Sequence, residues 1–273
     1  MKTTRFSDAA MSFAALFVFL PVFSQEDQPA RPAYITVTTM QWDMDNDYLD
    51  PDSWKALEKE YFDKVTSRNE LVAGSGFYTH LYSPDSRDVL VVNHYAKWED
   101  IAKAGERNQE LINEGWPDEA ARNEFFRKRN AYYTDLHSDE IYAPMQNAIV
   151  HDRKTTPVLL VRRNYMKLSG NETEPELDAY LKEVYENVFK KNEFIKGYYP
   201  SRHAWGSNST EYLQVFFVNS LADVDAMGDR NGELSDAYWS DEVTKKEVAA
   251  LRKKFFTGVH GDYIYSVVTE LIK

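Results

Sequence analysis

Cysteine is absent from the 273 residues. Its absence excludes a disulfide framework, a thiolate metal site and a lipid-bearing cysteine behind a leader. Positive charge is scarce: 32 Lys and Arg stand against 44 Asp and Glu, a net of −12. Phosphate backbones and anionic membranes bind through Lys and Arg, so neither nucleic acid nor membrane is an expected partner. Also missing are a His-Glu-x-x-His zinc motif, a G-x-S-x-G elbow and a phosphate-cradling glycine loop. A bilayer span needs roughly 18 or more apolar residues; the run from Met11 to Val22 falls short of that.

That run follows Lys2 and Arg5 and leads to Val22-Phe23-Ser24. A basic start, a short apolar core and small residues before a cut are the order of a secretory leader. The expectation is removal of residues 1–24, a mature net charge of −13 after loss of Lys2, Arg5 and Asp8, and a soluble protein in the periplasm or outside the cell.

What is present is apolar and aromatic: 43% hydrophobic residues, with 18 Tyr and 15 Phe. Such a chain folds, and its length suits one or two domains of roughly 100 to 200 residues. It also repeats. Asp88 to Tyr142 lies on Glu211 to Tyr265 without a gap, with 18 identities over 55 positions, among them Gly105/Gly228, Arg107/Arg230, Trp116/Trp239 and His137/His260. A period this long makes each copy a domain rather than a solenoid unit. Residues 25–146 form the first copy, the polar stretch 147–156 a linker and 157–273 the second.

Tyr34 to Trp42 is β-branched and aromatic, as strands are. Asp50-Pro51 is a cap with proline at the first helical position, followed by Trp54, Leu57, Tyr61 and Val65 at helical spacing. Gly76 to Tyr82 and Asp88 to Tyr95 flank a turn. A helix broken near Gly115-Trp116-Pro117 and a strand from His137 to Met145 complete βαββαβ. The second copy repeats this order, ending with a strand from His260 to Leu271. In strand 3, Leu90 and Val92 make one face apolar while Val89, Val91 and Tyr95 make the other so. Both faces must be covered. Two βαββαβ units with apolar outer sheet faces resemble the dimeric α+β barrel superfamily. The fold class expected is α+β: tandem ferredoxin-like repeats packing sheet to sheet within one chain, so that a monomer carries the pseudo-dimer.

Arg107 with Glu110 and Arg230 with Glu233 stand three apart on helices, as structural ion pairs do. His137-x-Asp139 and His260-x-Asp262 place an imidazole and a carboxylate on one strand face, available for general-base work or for tying the strand entry down. Polar groups that interrupt strands without a duplicate point to a pocket more directly. These are His80, Asn93 and His94 in the first copy and Arg162-Arg163 in the second, where one arginine must face inward whichever way the strand is turned. His94 stands where the second copy has Phe217. The expected ligand-binding set is His94, Asn93, Arg162, Arg163 and His80, with His94, His80 and His137 as candidate bases. One ligand per chain is expected, in the first half or at the seam.

The resemblance implies several activities: oxygenases without metal, haem-degrading enzymes and stress-associated proteins. The haem-degrading kind implies a histidine in or near the helical segment after strand 3. Residues 96–136 and 219–259 contain none, so no cofactor and no metal is expected. The leading expectation is an exported binding or accessory protein for a small apolar or aromatic ligand. The alternatives are a cofactor-free oxygenase or isomerase and a pocketless interaction module.

Overall fold

Asp50 caps its helix by accepting from the backbone N–H groups of Asp52 and Ser53, and Asp118 and Asp241 cap two later helices similarly. These caps satisfy amide donors that a helix start leaves open. They also explain why the broken helix of each copy is two helices. The computed structural model describes residues 32–45, 50–167 and 174–273. The expected leader, 1–24, lies outside them. The first half comprises β1 (Tyr34–Trp42), α1 (Pro51–Lys64), β2 (Gly74–Tyr82), β3 (Asp88–Tyr95), α2 (Glu99–Gly115), α3 (Glu119–Asn130) and β4 (Tyr133–Pro144). The second comprises β5 (Val158–Met166), α4 (Glu174–Asn187), β6 (Gly197–Trp205), β7 (Glu211–Val218), α5 (Leu221–Tyr238), α6 (Glu242–Phe255) and β8 (Phe256–Val267).

All eight strands form one closed antiparallel barrel in the order β1-β3-β2-β8-β5-β7-β6-β4. Each half supplies four adjacent strands. The halves join where β2 pairs with β8, setting Tyr78 opposite Val267, and where β4 pairs with β6, setting Pro144 opposite Ser201. Closure leaves no open sheet edge. The interior is apolar and shared: Tyr78, Leu90 and Tyr142 meet Leu159, Leu213, Phe217 and Tyr265. Burying a large apolar side chain stabilises by roughly 1.5–3 kcal/mol. Separating the halves would expose several at once, so the tandem α+β barrel expected from the repeat is also the unit of stability.

The helices cover the outside. Trp54, Phe62, Phe77 and Val89 pack on one half, and Leu160, Tyr198, Phe216 and Met227 on the other. The duplicated pairs are structural in both copies. Arg107 bonds Glu110 at 2.7 Å and reaches Glu70, and Arg230 bonds Glu233 at 2.8 Å and reaches Glu193.

Three strand boundaries differ from expectation by four residues each, while β2 starts two residues early, at Gly74, and β4 ends one early, at Pro144. β4 starts at Tyr133 rather than His137, and β8 at Phe256 rather than His260. Trp42 stacks on Tyr133 and Tyr212 packs on Phe256, so aromatic contacts across the sheet extend both strands back to the helix ends. β8 stops at Val267, because 268–273 turn across the barrel end: Ile272 enters the interior cluster and the Lys273 backbone N–H bonds Ser75 O. The connector closes the same end, where Ile149 bridges to Tyr198 and Arg153 Nη2 donates to Lys273 O.

Candidate functional site

Each half buries one sheet face under three helices, and the two burials differ. Their correspondence is fixed by hydrogen bonds made in both. Trp116 Nε1 donates to Glu60 as Trp239 Nε1 does to Glu183. Asn69 Nδ2 donates to Ala104 O and Asn108 as Asn192 Nδ2 does to Met227 O and Asn231. On the sheet, Val37 lies opposite Val92 as Val161 lies opposite Val215. In the first half the space under the helices is filled. Trp116, Phe125, Phe126 and Tyr61 form a ring cluster, and buried Glu58 holds Arg129 at 3.0 Å and accepts from Tyr133 at 2.8 Å. At the matching places the second half has Val184 for Tyr61, Leu181 for Glu58, Ser235 for Ile112, Val248 for Phe125 and Ala249 for Phe126. Its floor turns polar as its filling is removed: Arg162 and Asn164 replace Thr38 and Met40, and Gln214 replaces Val91.

The result is a cavity of ≈ 390 Å³ between the β5, β7 and β8 floor and helices α4, α5 and α6. Val184, Val188, Trp239 and Val248 give it apolar walls, and His260 stands at the β8 side. Arg162 donates through Nε and Nη2 to the two carboxylate oxygens of Asp262, at 2.7 and 2.9 Å. Burial pushes the Asp262 carboxyl up, but the Arg162 hydrogen bonds and charge, with His260 nearby, pull it below its ordinary value. His260 Nε2 is 3.9 Å from Asp262, a charge neighbour rather than a hydrogen-bond partner. Asn164 Nδ2 donates to Gln214 and Gln214 Nε2 to Tyr198, whose hydroxyl meets that of Tyr212 at 3.2 Å. Burial raises both phenols, Tyr198 to about 12, so they stay neutral. A larger groove of ≈ 760 Å³ adjoins the cavity through Leu181 and Tyr212.

Of the expected ligand-binding set only Arg162 lines this cavity, joined by His260 of the duplicated His-x-Asp pair. Arg163 faces the barrel interior, 3.6 Å from Glu211 and over the Tyr263 ring. There buried Tyr142 bonds Glu211 at 2.6 Å and also contacts Glu140. His94 lies at the plugged barrel end, where its Nδ1 is 3.1 Å from the place a Gly74 Cβ would take, with Arg153 beside it. Burial, with the Arg153 charge adding to it, holds His94 down to about 3. His80 is tied into its hairpin, 2.9 Å from Ser83 Oγ. Asn93 shares the helix-covered face of β3 and pairs with Thr36 and Ser75. His137 is exposed, 3.2 Å from Asp139, over the filled half.

The expectation placed a ligand in the first half or at the seam; the cavity of ≈ 390 Å³ lies in the second half, and the larger groove reaches the seam through Pro144 and Met145. The residues missed are Asn164, Gln214, Trp239 and Arg252. For Asn164 and Gln214 the signal is an exchange of apolar for polar between the copies, whereas Trp239 and Arg252 are identical to Trp116 and Arg129 and only their surroundings change. Haem, implied for part of the resembling family, does not fit the donors present. α4, α5 and α6 carry no histidine, and the one imidazole at the cavity is beside Asp262 on the strand. Among the described residues no three His, Asp or Glu side chains converge as a metal site.

No family model matches the chain, and no curated protein matches its sequence. Its fold is shared with solved structures. A candidate monooxygenase from Fusobacterium nucleatum superposes at TM-score 0.54 with 12% identity, over 88% of this chain and 94% of the other. A candidate monooxygenase from Lactobacillus acidophilus does so at 0.54 and 8%, over 89% and 95%. A mutant chlorite dismutase from Candidatus Nitrospira defluvii reaches 0.50 and 11%, over 88% and 94%. At such identities the likeness concerns the fold. The neighbours carry the names of enzymes, and the leading expectation of a binding or accessory protein is corrected on that finding.

Proposed function

We propose that this chain, a dimeric α+β barrel fused into one polypeptide, is an oxygenase of small aromatic molecules working in the second-half cavity. One observation carries the reading: of two homologous sheet–helix interfaces, one holds a ring cluster and a buried ion pair, and the other, with smaller residues in their places, holds a cavity with a polar floor. A volume of ≈ 390 Å³ suits a ligand of a few rings, since small-molecule sites run from roughly 300 to 1,000 Å³. In this reading His260 takes a proton from an acidic carbon of the substrate, and the Asp262 carboxylate steadies the imidazolium that forms. Arg162 has Nε and Nη2 occupied by Asp262; Nη1, which no described residue claims, donates to the developing oxyanion. The electrons come from the substrate: an activated CH₂ and O₂ give C=O and H₂O, one oxygen atom entering the product and the other leaving as water with both hydrogens.

The test is oxygen uptake with hydroxyanthrones, whose ring CH₂ is acidic. His260→Ala and Arg162→Met should each slow uptake by about 10²-fold or more. Undiminished uptake in His260→Ala removes the mechanism, and substrate turnover without oxygen consumption points to the isomerase reading instead. The fused chain acts as a monomer in this proposal, checked by light scattering. Export with loss of residues 1–24 belongs to it too, supported by the basic start and apolar run and decided by sequencing the mature N-terminus.

A further inference from the structure

The charges around the cavity cancel in pairs with one exception. Arg162 is matched by Asp262, and Lys245 by Asp236 at 2.9 Å. Arg252 lines the same cavity from α6, and among the described residues its side chain makes no ion pair. In the first half the corresponding Arg129 is largely buried, bonds Glu58 at 3.0 Å and lies over the Tyr61 ring. The second half keeps the arginine and removes its surroundings, with Leu181 for Glu58 and Val184 for Tyr61. The correspondence is not a matter of alignment alone. Glu60 and Glu183 accept the same tryptophan bond in the two halves, and Glu58 and Leu181 each stand two residues before them on one helix.

We infer that the second-half cavity binds a carboxylate-bearing aromatic compound, its carboxylate on Arg252 and its rings in the space that Phe125 and Phe126 fill in the first half. The first half is in effect a picture of the complex, with a protein carboxylate and protein rings where the second half takes a ligand's. Arginine suits the task because its planar fork meets a carboxylate with two parallel N–H donors. Tyr180 also lines the cavity, and its phenol, raised by burial, is drawn back down by the Arg252 charge. Arg252 is exposed to solvent where it lines the cavity, so its guanidinium is open to an incoming carboxylate. The inference rests on the proposed site but not on turnover.

Calorimetric titration of the full chain with 2-naphthoate and with 2-naphthamide separates charge from shape. Naphthoate should bind about tenfold or more tightly than the amide. Arg252→Gln should abolish that preference while leaving the circular dichroism unchanged. Leu181→Glu, which supplies the carboxylate present in the first half, should block naphthoate by occupying Arg252 from within. Equal affinity for the two probes, binding of neither at millimolar concentration, or a preference that survives Arg252→Gln overturns the inference. Oxygen uptake, measured separately, decides the oxygenase reading and is untouched by that result.

Discussion

Arg162 grips Asp262 through two hydrogen bonds at the strand position where the first half sets Thr38 against Asp139 with one bond of 2.6 Å. The duplicated aspartate thus has two fates. Against threonine it finishes a surface strand; against arginine it anchors a guanidinium on the floor of a cavity and stands near His260. Both copies keep the folding contacts, and a guanidinium–carboxylate pair is added in one.

Asp262 also sets a pH dependence. Its carboxyl is held below its ordinary value in the fold, so the pair contributes stability that is present above the unfolded value, near 3.9, and is lost as pH falls through the folded one. Asp262→Asn should lose stability relative to wild type at neutral pH, with the gap closing under acid. Denaturant midpoints measured from pH 7 down to pH 3 check this; a gap that widens with acid contradicts it.

In the first half, Glu58→Leu copies Leu181 and strands Arg129 as an unpaired buried cation. Breaking a buried pair from one side costs about 3–5 kcal/mol, so urea unfolding should show a loss of that order. Adding Arg129→Leu should return a large part of it. A single variant as stable as wild type would mean that water reaches Arg129.

Much of the fold is legible in the sequence, and the reasons are local. β1 is readable as Tyr34–Trp42 because its residues are β-branched or aromatic throughout, and α1 because Asp50-Pro51 both caps and starts it. The start of β4 is not, since Thr134-Asp135-Leu136 has no alternation of burial and is held by the Trp42–Tyr133 stack between distant residues. The site is hidden for another reason. Identities between the copies draw the eye to shared residues, whereas the cavity is made by differences, and which differences face the helices depends on a register that only the folded sheet displays. His94 against Phe217 is such a difference, but it lies at the plugged barrel end.

His94 therefore carries a prediction about stability rather than binding. Its folded value of about 3 lies below the ordinary 6.5, so the unfolded chain takes up a proton between those limits while the fold does not. Stability present above pH 6.5 is lost as pH falls, by at most about 1.4 kcal/mol per pH unit. His94→Gln should flatten that slope between pH 6 and pH 4 and leave ligand binding in the second half as it was. A slope identical to wild type would show that His94 charges inside the fold.

The decisive comparison is to refill the cavity with the protein's own rings. Val248→Phe together with Ala249→Phe restores what Phe125 and Phe126 supply across the pseudo-dimer, where they pack on each other at 5.2 Å and Phe125 lies 4.2 Å from Trp116. Adding bulk to a packed core costs typically 1–3 kcal/mol, but adding it to a hollow one recovers dispersion and apolar burial. The double variant should therefore melt at or above the wild-type temperature while oxygen uptake and naphthoate binding fall about tenfold or more. Arg162 and His260 remain in place, so lost activity in a protein of undiminished stability can be assigned to occupied space. A refilled variant that keeps full uptake would move the chemistry out of the second half.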